Sequence, residues 1–437
     1  MKGLIALVLF LSSLSILSCS KVPQALTDDS GSSVAESPEA SPSTTPEETT
    51  PAATVTPSTY LIGGTVTGLV GTLVLQNNGA DNLSIASTGA FAFSTGMATG
   101  ASYAVTVLSS PTGQTCSISS GSGTVAAAAV SSVSVSCVST FHAYVGSYDG
   151  MDGHLYSCSV NSTTGALSSC TLGDGGATLS PGHISVKEIS GVSRAYIPSL
   201  DGSIYVCSLN ATTGAVNACA VSNGGVNWGG AGNPASISFA SVGGVTRAYV
   251  ASAGDVYLCS LNANGTLASC AASGLTTAYQ VSIVAVGNNS YAYFAGNNAH
   301  IYRCAVNAST GAVGSCTQND GGVVYGSTQS ITVASVGGAY YAYVTDAAHA
   351  YLCAVNSGTG ALSGCAISDG GVGTWQPVSV AIVNVNGALR VYVAASDNHV
   401  YVCSISSVSG VLSGCAINDG GVSSGAWAPS SIVVPSF

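Results

Sequence analysis

Ser236-Ile-Ser-Phe-Ala-Ser-Val242, Val245-Thr-Arg-Ala-Tyr-Val-Ala251, Asp255-Val-Tyr-Leu-Cys259-Ser-Leu-Asn262 and Thr266-Leu-Ala-Ser-Cys270-Ala271 follow one another within forty residues and read as four short strands. Gly243-Gly244 joins the first two, and Asn262-Ala-Asn-Gly265 joins the last two, both turn sequences suited to hairpins. We call the four strands A to D. From Val138 onward the pattern recurs six times. Strand B carries Tyr followed by a large apolar residue in every copy, as at Tyr196-Ile197, Tyr293-Phe294 and Tyr343-Val344. Strand C carries Tyr-x-Cys, and 45–52 residues separate successive triplets. A strand-rich period of that length is the signature of a β-propeller. Both faces of strands B and C are apolar, as sheets sandwiched between two neighbours require.

Counting strands shows how such a ring would close. The first repeat starts at strand B, His142–Ser147, and lacks a strand A. The chain ends on an unaccompanied strand A, Ser431-Ile-Val-Val434. If that strand joins the first sheet, six complete blades result and no open edge remains. The expected fold is therefore all-β, a six-bladed propeller over 138–437 closed by the C-terminus.

Fifteen cysteines fit this plan. Twelve fall on strands C and D as Cys158/Cys170, Cys207/Cys219, Cys259/Cys270, Cys304/Cys316, Cys353/Cys365 and Cys403/Cys415. Five spacings are twelve and the third is eleven, where the turn is one residue shorter, so the flanking register is kept. That is the requirement of a direct cross-strand disulfide. Inter-blade bridging and metal ligation compete, but Tyr-x-Cys lacks the close doublets of zinc sites. Cys116 and Cys137 form a seventh pair within 60–137, a segment of short alternating runs that reads as a small antiparallel β-sandwich.

Cys19 is left over. It follows one Lys, an apolar segment Leu4–Leu17 and the phrase Ile16-Leu-Ser-Cys19. Residues 1–19 read as a signal peptide, too short for a membrane span. The phrase resembles a bacterial lipobox, which implies acylation of Cys19 and anchorage at an outer membrane or cell surface. Residues 20–59 are rich in Ser, Thr, Pro and Glu and cannot bury a core, so a disordered tether is expected. Charged residues make up 6% of the chain, net charge is −11, and seven Lys and Arg are scattered, which excludes a nucleic-acid footprint. Dense disulfides point to an oxidising compartment.

The repeat Ala-Tyr-Val…Tyr-x-Cys…Thr-Gly-Ala-Leu followed by Pro-x-x-Ile is similar to the Tyr-Val-Thr-Asn repeats of lactonase-like β-propellers. Matching stretches include Ala143-Tyr144-Val145, Thr164-Gly165-Ala166-Leu167 and Pro377-Val378-Ser379-Val380. The resemblance implies a propeller, in a family of sugar-lactone hydrolases and surface proteins without known chemistry. Gly64-Thr-Val-Thr-Gly68, Leu75-Gln-Asn-Asn-Gly79 and Tyr103-Ala-Val-Thr-Val107 resemble an immunoglobulin-like spacer of bacterial surface lipoproteins, which implies presentation of the propeller.

Three sets of residues are candidates for function. Loops from strand D to the next strand A carry Trp228, Tyr279, Tyr325, Trp375 and Trp427, expected as an aromatic rim for a glycan or protein partner. The same loops open with Asp-Gly-Gly or Asn-Gly-Gly, read as turns and not as calcium ligands. His154, His300, His349 and His399 share one repeat position and cannot converge on one ion, so each is expected to bond a neighbouring loop or blade. Finally, His183, Lys187 and Glu188 break the pattern of strand A. A base near a cation is the minimum for lactone hydrolysis. The reading is a monomeric, lipid-anchored binding or scaffold protein without cofactor or metal; a lactonase-like hydrolase and a purely structural envelope protein are the alternatives.

Overall fold

A computed structural model describes residues 58–435, apart from 112, 149–152, 253–254, 276–277, 297 and 424–426. The signal segment, Cys19 and residues 20–57 of the expected tether lie outside the described residues. The protein is all-β except for one helical turn, Trp228–Ala231.

Residues 59–139 form two four-stranded sheets and a short two-stranded ribbon. In one sheet Gly89–Ala92, Ile62–Thr67, Val130–Ser139 and Gln114–Ser119 lie side by side; Asp81–Ile85, Leu73–Asn77, Ser102–Ser109 and Ser122–Thr124 make the other. Ile62, Leu73, Leu75, Phe93 and Val135 fill the space between them. The sandwich is not purely antiparallel, because Val130–Ser139 runs parallel to Ile62–Thr67. Cys116 and Cys137 face each other on adjacent strands and are joined.

The remainder is a propeller-like array of six four-stranded antiparallel sheets, one for each repeat. The quoted copy forms Pro234–Val242, Val245–Ser252, Asp255–Leu261 and Leu267–Ala272, paired in that order. Val242 opposes Val245 across Gly243 and Gly244, whose φ values of 58° and 77° make the left-handed turn that matches strand twist. The last strand, Pro429–Val433, pairs with Phe141–Tyr148 of the first sheet.

Six apolar clusters lie one between each neighbouring pair of sheets. The cluster between the sixth sheet and the first holds Val383, Tyr392 and Ala394 from one side and Val145, Cys158 and Ile432 from the other. The strand B tyrosines are buried and cross these interfaces. Tyr196, Tyr249, Tyr293, Tyr343 and Tyr392 donate to the carbonyls of Gly265, Gly311, Gly360, Gly410 and Gly165, each in the C–D turn of the following sheet, at 2.6–2.9 Å. The exception is Tyr144. Ser157 takes the corresponding Gly214 carbonyl, and the Tyr144 hydroxyl is buried without a partner.

All six C–D disulfides form: Cys158–Cys170, Cys207–Cys219, Cys259–Cys270, Cys304–Cys316, Cys353–Cys365 and Cys403–Cys415, with Cα–Cα distances of 3.9–4.1 Å. Each bridge lies within its own C–D hairpin, as expected, and five of them are also covered by a loop that enters the sheet. The first glycine of an Asp-Gly-Gly or Asn-Gly-Gly loop lies over the strand D sulfur of the next sheet: Gly175 on Cys219, Gly224 on Cys270, Gly321 on Cys365, Gly370 on Cys415 and Gly420 on Cys170. The cysteine N–H in each case donates to that glycine's carbonyl at 3.1–3.2 Å. A Cβ on any of these glycines would collide with the sulfur. The second glycine of each loop has open space around it.

Cys316 departs from this rule. It opposes Cys304 across the hairpin and is joined to it, as the spacing of twelve predicts. The loop that enters its sheet, however, reads Ser273-Gly274-Leu275 in place of Asp-Gly-Gly, and Gly274 touches no sulfur. The Cys316 sulfur lies instead 3.6 Å from the carbonyl of Gly314 in its own strand and packs, partly buried, against the core beside Cys304. Its bridge is the one purely local staple of the six, because the loop glycine that would cover it is missing.

Two contrasts test this account. Gly370 and Gly371 both have positive φ, at 63° and 94°, so Ala at either is strained, but only Gly370→Ala also meets Cys415. Thermal unfolding should show Gly370→Ala about 1–3 kcal/mol less stable than Gly371→Ala. Equal losses would remove the glycine–sulfur contact from the argument. Tyr343→Phe should cost about 1 kcal/mol, whereas Tyr144→Phe should cost nothing or stabilise, since its hydroxyl is unpaired.

Candidate functional site

The loop aromatics sit on the expected loops but not on the surface. Trp228, Tyr325, Trp375 and Trp427 are at most 4% exposed. Each meets the strand C tyrosine of the sheet that its loop enters, edge to face: Trp228 with Tyr257, Tyr325 with Tyr351, Trp375 with Tyr401 and Trp427 with Tyr156, at 4.8–5.5 Å between ring centres. Strands rich in Gly, Ala and Ser leave little apolar area beneath these loops, so the rings plug the tops of the inter-sheet cores. Leu179 and Leu275 fill the same role in the other two repeats. The expected rim of five exposed aromatics is thereby corrected: four rings are core. Tyr279 is different, because it belongs to strand Ala278–Val286 and is 41% exposed.

The repeated histidines and the loop aspartates form one device. Nδ1 of His154, His300, His349 and His399 donates to Asp174, Asp320, Asp369 and Asp419, respectively, at 2.7–2.9 Å. The second carboxylate oxygen accepts the backbone N–H that follows each histidine, at 2.7–2.8 Å. The aspartate thus locks the D–A loop onto the start of strand C within one sheet. Asn223 makes only the backbone bond where Ser203 replaces His. In the third repeat Asp255 occupies the histidine position and reaches back to the Leu275 N–H. The sequence held the signal, since each histidine stands twenty residues before its aspartate.

His183, Lys187 and Glu188 do not assemble. The strand of the second sheet starts only at Ser185. His183 has left that sheet: its N–H donates to the Ala235 carbonyl of the third sheet at 2.8 Å, and it bridges Ser236 in parallel. Gly182 permits this crossing, because a Cβ there would strike the Ala235 carbonyl. Lys187 and Glu188 oppose Arg194 and Ser193 near the A–B turn, four and five residues further along. At about 3.3 Å per residue, Lys187 is roughly 13 Å from His183.

What His183 does occupy is the junction of two cavities. The inner one, about 220 Å³, runs between the A strands and is lined by Ser185, Ser238, Gln280, Thr332 and Ser379, with aliphatic residues between them. The outer one, about 520 Å³, opens at the end where B–C turns and D–A loops gather. Its lining includes Tyr148, His183, Tyr279, Gln329, Ser396 and Asn398, and no side chain in it carries a carboxylate, ammonium or guanidinium. The His183 ring lies edge-on to Tyr279 at 6.3 Å. His183 is half-buried, and the desolvation it undergoes between the two cavities lowers its pKa to about 4, which favours the neutral imidazole, with one nitrogen a donor and the other an acceptor. Among the described residues no three His, Cys, Asp or Glu side chains group as metal ligands.

No protein-family model matches the chain, and no curated protein matches it. Solved structures similar to it include a candidate 6-phosphogluconolactonase from Bacteroides uniformis, with TM-score 0.46, 16% identity, and coverage of 68% of this chain and 99% of that one. A periplasmic gluconolactonase of Pseudomonas aeruginosa gives 0.43, 14%, 68% and 99% on the same measures. A Lactobacillus plantarum protein gives 0.40, 14%, 63% and 82%. At these identities no residue role or substrate passes to this chain.

The neutrality of His183 has a measurable consequence. Its folded pKa lies below the usual 6.5, so as pH falls the unfolded chain takes up the proton first. His183 therefore costs no stability above about pH 6.5, and an increasing amount between there and about pH 4. In an NMR titration its ring resonances should stay at their neutral positions down to about pH 5, and His183→Gln should flatten that part of the acid-unfolding curve. An imidazole that titrates near 6.5 would contradict the burial.

Proposed function

We propose that this is a lipid-anchored, extracytoplasmic binding protein that meets a glycan, or a glycan-bearing surface protein, at the outer cavity. In this reading residues 138–437 are a six-bladed β-propeller completed by the C-terminal strand. Residues 60–137 are an immunoglobulin-like spacer, 20–59 a tether, and Cys19 the acylated residue at an outer membrane or cell surface. The protein acts as a monomer. Seven disulfides and the Ile-Leu-Ser-Cys19 phrase support the compartment and the anchor.

The observation that carries the binding role is the lining of the outer cavity. Exposed Tyr279 offers a ring face, and Gln329, Asn398, Ser396 and neutral His183 offer hydrogen bonds without charge. Ring faces that stack with a few convergent polar groups suit a polyhydroxylated ligand. A hydrolase remains the second reading on one observation: His183 is a neutral imidazole open to that cavity, as a general base must be.

The test is retention on glycan and envelope-protein arrays. Tyr279→Ala and Gln329→Ala should each weaken binding about tenfold or more. Trp375→Ala should lower the unfolding temperature and leave affinity alone, because Trp375 is buried. Equal retention by wild type and both cavity variants would sink the proposal. Lactone turnover abolished by His183→Ala would replace it with the hydrolase reading.

A further inference from the structure

We propose that the outer cavity selects by charge, accepting neutral or amino saccharides and rejecting phosphorylated or carboxylated ones, with His183 as the residue that reads a ligand hydroxyl. This rests on the binding role proposed above and names its ligand class.

The first observation is a segregation of charge along the array. Successive strands alternate in direction, so B–C turns and D–A loops share one end while A–B and C–D turns share the other. All eight described aspartates of residues 138–437, from Asp174 to Asp419, lie at the cavity end, in B–C turns, D–A loops or the first residue of strand C. No described lysine or arginine lies there. Lys187 and Arg194 oppose each other beside an A–B turn, and Arg247 and Arg390 follow two others. Arg303 donates to the Thr359 carbonyl in a C–D turn. A cavity without charge of its own thus opens through an end whose described carboxylates are eight aspartates, four of them paired with histidines and four without a cationic partner, while Glu188 lies at the other end beside Lys187 and Arg194. The field at the cavity end lowers the local concentration of anions and raises that of cations.

The second observation is the state of His183. Among the described residues neither of its ring nitrogens has a hydrogen-bond partner, although the ring lines both cavities. A neutral imidazole presents a donor at one nitrogen and an acceptor at the other, and a hydroxyl group can answer either. An anionic oxygen can answer only the donor, and protonation to improve that contact is opposed by burial. Both observations therefore act in one direction.

Full-length protein should be titrated calorimetrically with methyl glucoside, glucosamine and glucose 6-phosphate, or with the same three forms of whichever sugar the array retains. At about 20 mM sodium chloride the phosphate should bind on the order of tenfold more weakly than the neutral sugar and the amine more tightly; at about 500 mM the three should converge. His183→Ala should weaken the neutral sugar about tenfold, and His183→Gln, which keeps a donor and an acceptor, should recover most of the loss. Equal or tighter binding of the phosphate, or a difference indifferent to salt, overturns charge selection and leaves the binding role standing. Unchanged affinity in His183→Ala removes His183 from it. If no saccharide of any charge binds, the binding role itself fails, and this inference with it.

Discussion

Each sheet of the array has two apolar faces and can cover neither by itself. Strand B shows this most plainly: Ala248 to Ser252 are all buried, with Tyr249 toward one neighbour and Val250 toward the other. A sheet of this kind is stable only between two others, and an apolar cluster lies between the sixth sheet and the first as between the rest. The chain meets it with small residues, so the sheets approach closely and apolar area per interface is modest. Directional contacts supplement that area. A tyrosine hydroxyl crosses to a turn glycine at five interfaces, and a loop glycine lies on a neighbour's sulfur at five, with Cys316 left out. The disulfides are therefore part of the inter-sheet surface as well as local staples.

Much of this was legible in the sequence because it is periodic. The strands of residues 234–272 lie within about two residues of the pattern read from alternation and glycine turns, and the six C–D cysteine pairs followed from hairpin spacing. Direct opposition of Cys207 and Cys219 needs only the local register, which the turn length fixes. What spacing within one repeat could not convey was contact between repeats. Nothing in Asp-Gly-Gly says that its first glycine covers a sulfur of the neighbouring sheet, or that its loss at Ser273-Gly274 leaves Cys316 uncovered.

The site was less legible for a related reason. Trp228, Trp375 and Trp427 stand on surface loops, and a loop tryptophan looks like a binding residue until the depth of the core beneath it is known. The histidines and the aspartates were each read singly, although their constant separation of twenty residues tied them into one lock. Tyr279 was grouped with the loop rings, yet Leu275 holds that place in its repeat. His183 was singled out as a break in pattern, and it lies where the chain leaves the second sheet. Its partners in the sequence, Lys187 and Glu188, are not its neighbours in space, because a strand that extends carries successive residues apart.

The pairing of Pro429–Val433 with Phe141–Tyr148 also bears on the order in which the protein can form. The six hairpin disulfides each span eleven or twelve residues, so each can close as soon as its own segment has emerged from the ribosome or crossed a membrane. The first sheet cannot. It waits for Pro429–Val433, more than 280 positions further along the chain, a strand that also supplies Ser431 to the backbone of Ile184. The first sheet alone is made from two distant parts of the chain, and loss of Pro429–Val433 would leave all six hairpin staples in place while removing the strand that packs between the first and sixth sheets.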